Sequence, residues 1–325
     1  MSNRQLKITV LVSIMLLLIT CTLFFFKTRT DTVPLLGKLV FAKTYDKGLD
    51  IDYIVIKSAE GNVELKRKGS YWHVVNQADY YADFKLVYSL INSINMSTYA
   101  LNLPYSQDLV RQKYLLSPLQ DKENSGMLIQ TYAAKQLLDE MIIGLPDNAK
   151  NYYFARKPDS EDIWLIDGNY SLPLKSENWI VTPILSIPTP SIESIVIDDV
   201  KASRTMPGED FYIQDSTKAN VAILLNVFDK LYATKVLNSK DFEQQYLKIK
   251  EQKNIEITTF YGLKFVVTQY LMTDNKLIFS IKLATTPLPN SNVNDYIKDN
   301  IFLFEGWYFE IYPKQEQILR YFNLV

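Results

Sequence analysis

Apolar and polar residues alternate over 51–57 (IDYIVIK), the period that gives a strand one buried and one wet face. Gly61 and Asn62 then read as a turn, 63–66 resumes the strand pattern, residues 68–70 turn again, and 71–75 gives a third short strand. The period changes after Asp83. Leu86, Val87, Leu90, Ile91 and Ile94 recur at helical spacing and make one apolar stripe, with Asp83 as the N-cap. Beyond a long polar stretch over 101–125, strand patterns return at 127–133, 136–143, 152–157 and 162–166.

The same order then repeats. Residues 192–198 (IESIVID) echo IDYIVIK, and Phe211, Tyr212 and Ile213 stand where Tyr71, Trp72 and His73 stood. Asp215 or Ser216 is placed to cap a helix carrying Val221, Leu224, Leu225, Phe228 and Leu231. Strand patterns follow at 255–260, 263–271, 276–283 and 307–312, with a short helix expected over 315–322. The fold class expected is α+β: two tandem antiparallel-sheet modules, each with a packed helix, behind an N-terminal transmembrane helix. The divisions expected are an anchor with flanking basic residues over 1–30, a linker over 31–49, a first module over 50–182, a stiff proline-rich connector over 183–190, and a second, diverged module over 191–325. The polar stretches 101–125 and 284–300 are the expected contact loops.

Residues 8–26 form a run of 19 side chains without a charge, bracketed by Arg4 and Lys7 before it and Lys27 and Arg29 after it. At 1.5 Å per residue that run matches a hydrocarbon core of about 30 Å. It is too long for the apolar core of a cleaved signal, and three phenylalanines carry it past any small-residue cleavage site. Thr20 before Cys21 is a poor lipidation signal, so Cys21 reads as a small apolar residue within the span. A short basic tail resists translocation, which places the bulk of the chain outside the cytoplasm, as a single-pass protein of a bacterial inner membrane.

The first thirty residues hold four basic and no acidic side chains, leaving 31 basic against 36 acidic in the remainder. An acidic exterior body without a basic patch argues against nucleic-acid partners. The single cysteine rules out an intramolecular disulfide, and the single histidine, His73, removes most zinc sites and histidine-based triads. Glycine, at 10 residues, builds no phosphate loop or dinucleotide fingerprint. The 22 tyrosines and 16 phenylalanines fit half-buried strands.

Several segments together resemble a known bacterial family: KGSYWHVVNQADYYADFKLVYSLINSI over 68–94, NYYFARKPDSEDIWLIDGNY over 151–170, and SENWI before IESIVID. They are similar to the domain of unknown function 4340. The resemblance follows the order of elements through nearly all of 50–325, with a Trp after a turn, Ala82-Asp83 before a helix, and a tyrosine-rich strand. It implies a membrane-anchored protein without established catalytic residues. Some members are encoded beside ABC-type permeases, gliding-motility or exopolysaccharide export components, which implies an accessory part of a transport machine. The second half lacks a tryptophan equivalent to Trp72.

No residue pattern assigns catalysis, a metal or a cofactor. His73 reads as a neutral histidine with one hydrogen-bond partner. The acidic pairs Glu161-Asp162 and Asp198-Asp199 lack the alternating spacing of a calcium loop and read as solvated turn charges. Lys66, Arg67 and Lys68 form a solubilising tip or a contact for acidic polymers or headgroups. Trp72, Trp164, Trp179 and Trp307, with Tyr80, Tyr81, Tyr152 and Tyr153, are the candidate ligand or partner contacts, as platforms for sugar rings or as core. The expected function is that of a non-enzymatic subunit held in the membrane by residues 8–26 and bound to a protein partner in a membrane complex. An envelope polysaccharide-binding module is the alternative, and a hydrolase with unidentified carboxylates comes third.

Overall fold

A computed structural model describes residues 35–147, 151–198, 200–213, 221–245, 248–285 and 300–323. The run 8–26 and the candidate caps Asp215 and Ser216 lie outside the described residues.

Helix α1 (Ala42–Lys47) leads into β1 (Tyr53–Ser58), β2 (Gly61–Lys68), β3 (Tyr71–Val74) and β4 (Tyr80–Tyr81). Helix α2 (Phe84–Met96) then carries the chain to β5 (Tyr99–Leu103) at the opposite sheet edge, and α3 (Gln107–Gln112) leads back to β6 (Met127–Ala133), β7 (Gln136–Asp147), β8 (Tyr152–Arg156) and β9 (Ile163–Asp167). The nine strands are ordered β4-β3-β2-β1-β6-β7-β8-β9-β5, antiparallel at every pairing.

The second sheet holds β10 (Ile192–Ile197), β11 (Val200–Ser203), β12 (Tyr212–Ile213), then α4 (Val221–Asp229), β13 (Ala233–Asn238) and α5 (Ser239–Glu243). It closes with β14 (Ile249–Thr259), β15 (Lys264–Met272), β16 (Leu277–Leu283), β17 (Trp307–Ile311) and α6 (Pro313–Asn323), which packs on α4. Its order is β12-β11-β10-β14-β15-β16-β17-β13. With β4 set aside, both sheets read third, second, first, fifth, sixth, seventh, eighth, fourth, with the longer helix after the third strand and the short helix after the fourth.

Local chemistry explains the elements. Asp83 accepts from the backbone N–H of Lys85 and Leu86 and starts α2, whose Val87, Leu90 and Ile94 are buried. Each sheet buries both faces. Ala155 and Ile166 turn to the main core, while Phe154, Ile163 and Leu165 meet Val110 and Leu115 beneath α3. In the second sheet Val236 and Phe279 face the main core, while Leu237 and Ile278 meet Phe242 of α5. The main core is one cluster that runs through both sheets.

Three expectations need correction. The stretch 31–49 is not merely a linker, because Leu36 and Leu39 pair with Tyr99 and Thr98, and α1 docks on the sheet. There Asp139 of β7 accepts from Thr44 N–H (2.7 Å) and Thr44 Oγ1 (2.8 Å). The stretch 101–125 is not wholly a loop, since β5 and α3 lie in it. The first hairpin turns at Ala59 and Glu60, and Gly61 already pairs with Ser58.

Candidate functional site

The tryptophans stand apart. Trp72 on β3 and Trp164 on β9 are separated by six strand spacings, on the order of 29 Å in a flat sheet. Trp164 packs its ring 4.8 Å from Tyr99. Trp179 is fully buried and donates from its indole N–H to Pro173 O (2.8 Å), so it presents no face to a ligand. Trp307 donates to Phe302 O (3.1 Å) and meets Tyr80 edge-on at 5.2 Å. Tyr80 itself is buried, its hydroxyl donating to Leu303 O (2.6 Å), and burial pushes that phenol well above its usual range. Tyr80 and Trp307 therefore belong to the contact between the two sheets, and no shared platform brings the four indoles together.

The other candidates serve structure. His73 is nearly buried, its Nδ1 2.7 Å from Asp79 O, with its ring 4.7 Å from Tyr81. A carbonyl can only accept, so Nδ1 carries the proton. Asp162 receives a hydrogen bond from Ser160 Oγ, and Asp198 pairs with Lys253 at 3.5 Å; Asp199 lies outside the described residues. Lys68 pairs with Asp79 at 3.1 Å, both half-exposed. Among the described residues no group of three or more His, Cys, Asp or Glu side chains could hold a metal ion. The carboxylates of Asp121 and Glu209 shift downward through hydrogen bonds from Asn124 and Thr205, which favours the charged form rather than a general acid.

A cleft of about 520 Å³ opens at one end of the first sheet, beside the β1–β2 turn, the start of β6 and the end of β7. Its construction depends on two glycines. A Cβ on Gly144 would lie 2.1 Å from Lys113 O, and one on Gly126 2.4 Å from Tyr114 O. Only bare backbone lets residues 113–116 approach the β6–β7 pair, where Leu145 N–H donates to Lys113 O (3.1 Å) and Gly126 N–H to Leu116 O (3.2 Å). That approach holds Tyr114 at φ 56°, a left-handed conformation costing a tyrosine about 1 kcal/mol. Tyr114 lines the cleft with Tyr153 and Tyr170, and Lys122, Glu123 and Glu60 stand around it. Tyr153 and Tyr170 meet edge-to-face at 5.6 Å. The Tyr170 hydroxyl turns inward to Ser97 Oγ at 2.5 Å, and burial raises its pKa, so it stays neutral and structural. The cleft thus offers tyrosine faces, an amine and carboxylates to whatever enters it. Composition did not expose it, because it depends on glycines and tyrosines far apart in sequence.

These features define an α+β protein of two antiparallel sheets with few helices. The family described as Domain of unknown function (DUF4340) matches residues 72–247, and the chain belongs to it. No curated protein and no solved structure matches the chain. Among the described residues no helix is long and apolar enough to cross a membrane.

Proposed function

We propose that the protein is a membrane-anchored, extracytoplasmic, non-enzymatic subunit that binds a protein partner in a transport or envelope complex. The observation that carries this reading is the uncharged run 8–26, flanked by basic residues and ending nine residues before Leu35, where the described fold begins. The body behind the tether supports a binding role. It repeats one sheet topology, and the Tyr80 hydroxyl and His73 are engaged in backbone contacts. Crosslinking in intact cells followed by purification in mild detergent tests the reading. Stoichiometric recovery of a permease or export component is expected, and loss of that recovery on deletion of residues 1–30. Recovery of the protein alone would sink it.

The tyrosine-lined cleft favours a second reading, an envelope polysaccharide-binding module, since partly exposed phenol rings can stack on sugar faces. Glycan binding abolished by Tyr153→Ala with folding retained would support it.

A further inference from the structure

We propose that the outward face of the α1–α2 layer lies on the bilayer surface to which the chain is tethered, contacting anionic lipid headgroups. This rests on the reading of residues 8–26 as an anchor. Eight residues, or nine Cα-to-Cα steps, separate Phe26 from Leu35, a reach of about 30 Å when fully extended. A body of this size is roughly 50 Å across, so the tether limits which surface can face the membrane. The lead-in enters on this layer: Val40 N–H donates to Ser97 O at the C-terminal end of α2 (2.9 Å), and Gly37 N–H to Tyr99 O (2.7 Å).

That surface has the composition of an interfacial helix layer. Helix α2 buries Val87, Leu90 and Ile94 yet turns Phe84, Tyr88 and Met96 outward, at 73%, 62% and 65% exposure. Phe84 and Tyr88 stack at 6.0 Å, a ring pair left in solvent. Leu49, just beyond α1, is 85% exposed. Lys38, Lys43, Lys47 and Lys85 are exposed among these residues, none in an ion pair among the described residues, against exposed Asp46 and Asp50. Apolar and aromatic side chains interleaved with lysines suit a headgroup boundary, where apolar burial and attraction to anionic lipid add. A stacked ring pair beside further exposed apolar side chains forms a patch of the kind that marks an interaction surface, unlike a lone exposed ring.

The test uses the full chain with Cys21→Ser, reconstituted in vesicles of phosphatidylcholine and phosphatidylglycerol. Nitroxides are placed at Tyr88→Cys or Leu49→Cys, with Tyr212→Cys on the second sheet as reference. Collision with oxygen, enriched in lipid, is compared with collision with a water-soluble nickel chelate. The oxygen-to-nickel ratio at 88 and 49 is expected to exceed that at 212 several-fold, and Lys43→Glu with Lys47→Glu to lower it. Equal ratios at all three positions overturn the surface contact, and a ratio unchanged by the glutamates overturns the role given to the lysines. Alkaline carbonate extraction is scored on the same vesicles. Release would break the tether, and the proposal with it; retention with a water-exposed label at 88 breaks the surface contact alone.

Discussion

Gln77 uses both ends of its amide on opposite sides of the boundary between the sheets. Its Nε2 donates to Ser176 Oγ (2.9 Å), and its Oε1 accepts from the buried N–H of Val236 on β13 (3.0 Å). Gln77→Leu keeps the volume but leaves that N–H without an acceptor, a loss of about 1–3 kcal/mol expected as a lower urea midpoint. A second residue-scale consequence concerns pH. Burial first, with the charges of Asp139 and Asp162 adding to it, pushes the Tyr99 phenol up to about 12. In the unfolded chain it titrates near about 10. The folded state therefore holds its proton longer, so this contribution is complete below about pH 10 and fades as pH rises through about 12. Urea midpoints measured across that window should fall, and Tyr99→Phe should make the fall shallower. None of this was legible in the sequence, because Gln77 and Val236, or Tyr99 and Asp139, meet only after folding.

Elements with strong periodicity were legible. The α2 stripe and the strand over 127–133 matched the structure because a buried face imposes its period directly on the side chains. The shorter pieces β5, α3, β13 and α5 escaped notice. β5 is an edge strand with two of its five residues exposed, and α3 and α5 are short elements held by a single N-cap each, Ser106 and Asn238. Their importance lies in packing. Phe242 of α5 stacks on Tyr308 at 3.8 Å between centroids and sits 4.8 Å from Tyr270. Phe242→Ala should cost about 3–5 kcal/mol, read by thermal or urea unfolding, although the helix that carries it is five residues long. The tryptophans mislead for the related reason that an aromatic in a strand looks alike in sequence whether it faces a ligand or a neighbour.

The two sheets form one body. Residues 183–190 are bonded to the C-terminal end of α4 and the residues just beyond it, with Ile187 N–H donating to Phe228 O (2.9 Å) and Leu231 N–H to Leu185 O (2.9 Å). A core shared across both sheets predicts one cooperative transition. Fluorescence from Trp164 in the first sheet and Trp307 in the second, each isolated by Trp→Phe changes elsewhere, should report coincident midpoints. Separate midpoints would show the halves to be independent. The contact between the halves also has a direction. The β4 side of the first sheet meets the β13–β17 side of the second, which corresponds topologically to β5–β9 of the first. A head-to-tail contact of that kind joins two different surfaces of the unit, and so leaves one of each at the ends of the pair. Leu36 and Leu39 lie along β5, on the side where a preceding unit would seat, so the residues that lead into the first sheet cover that edge.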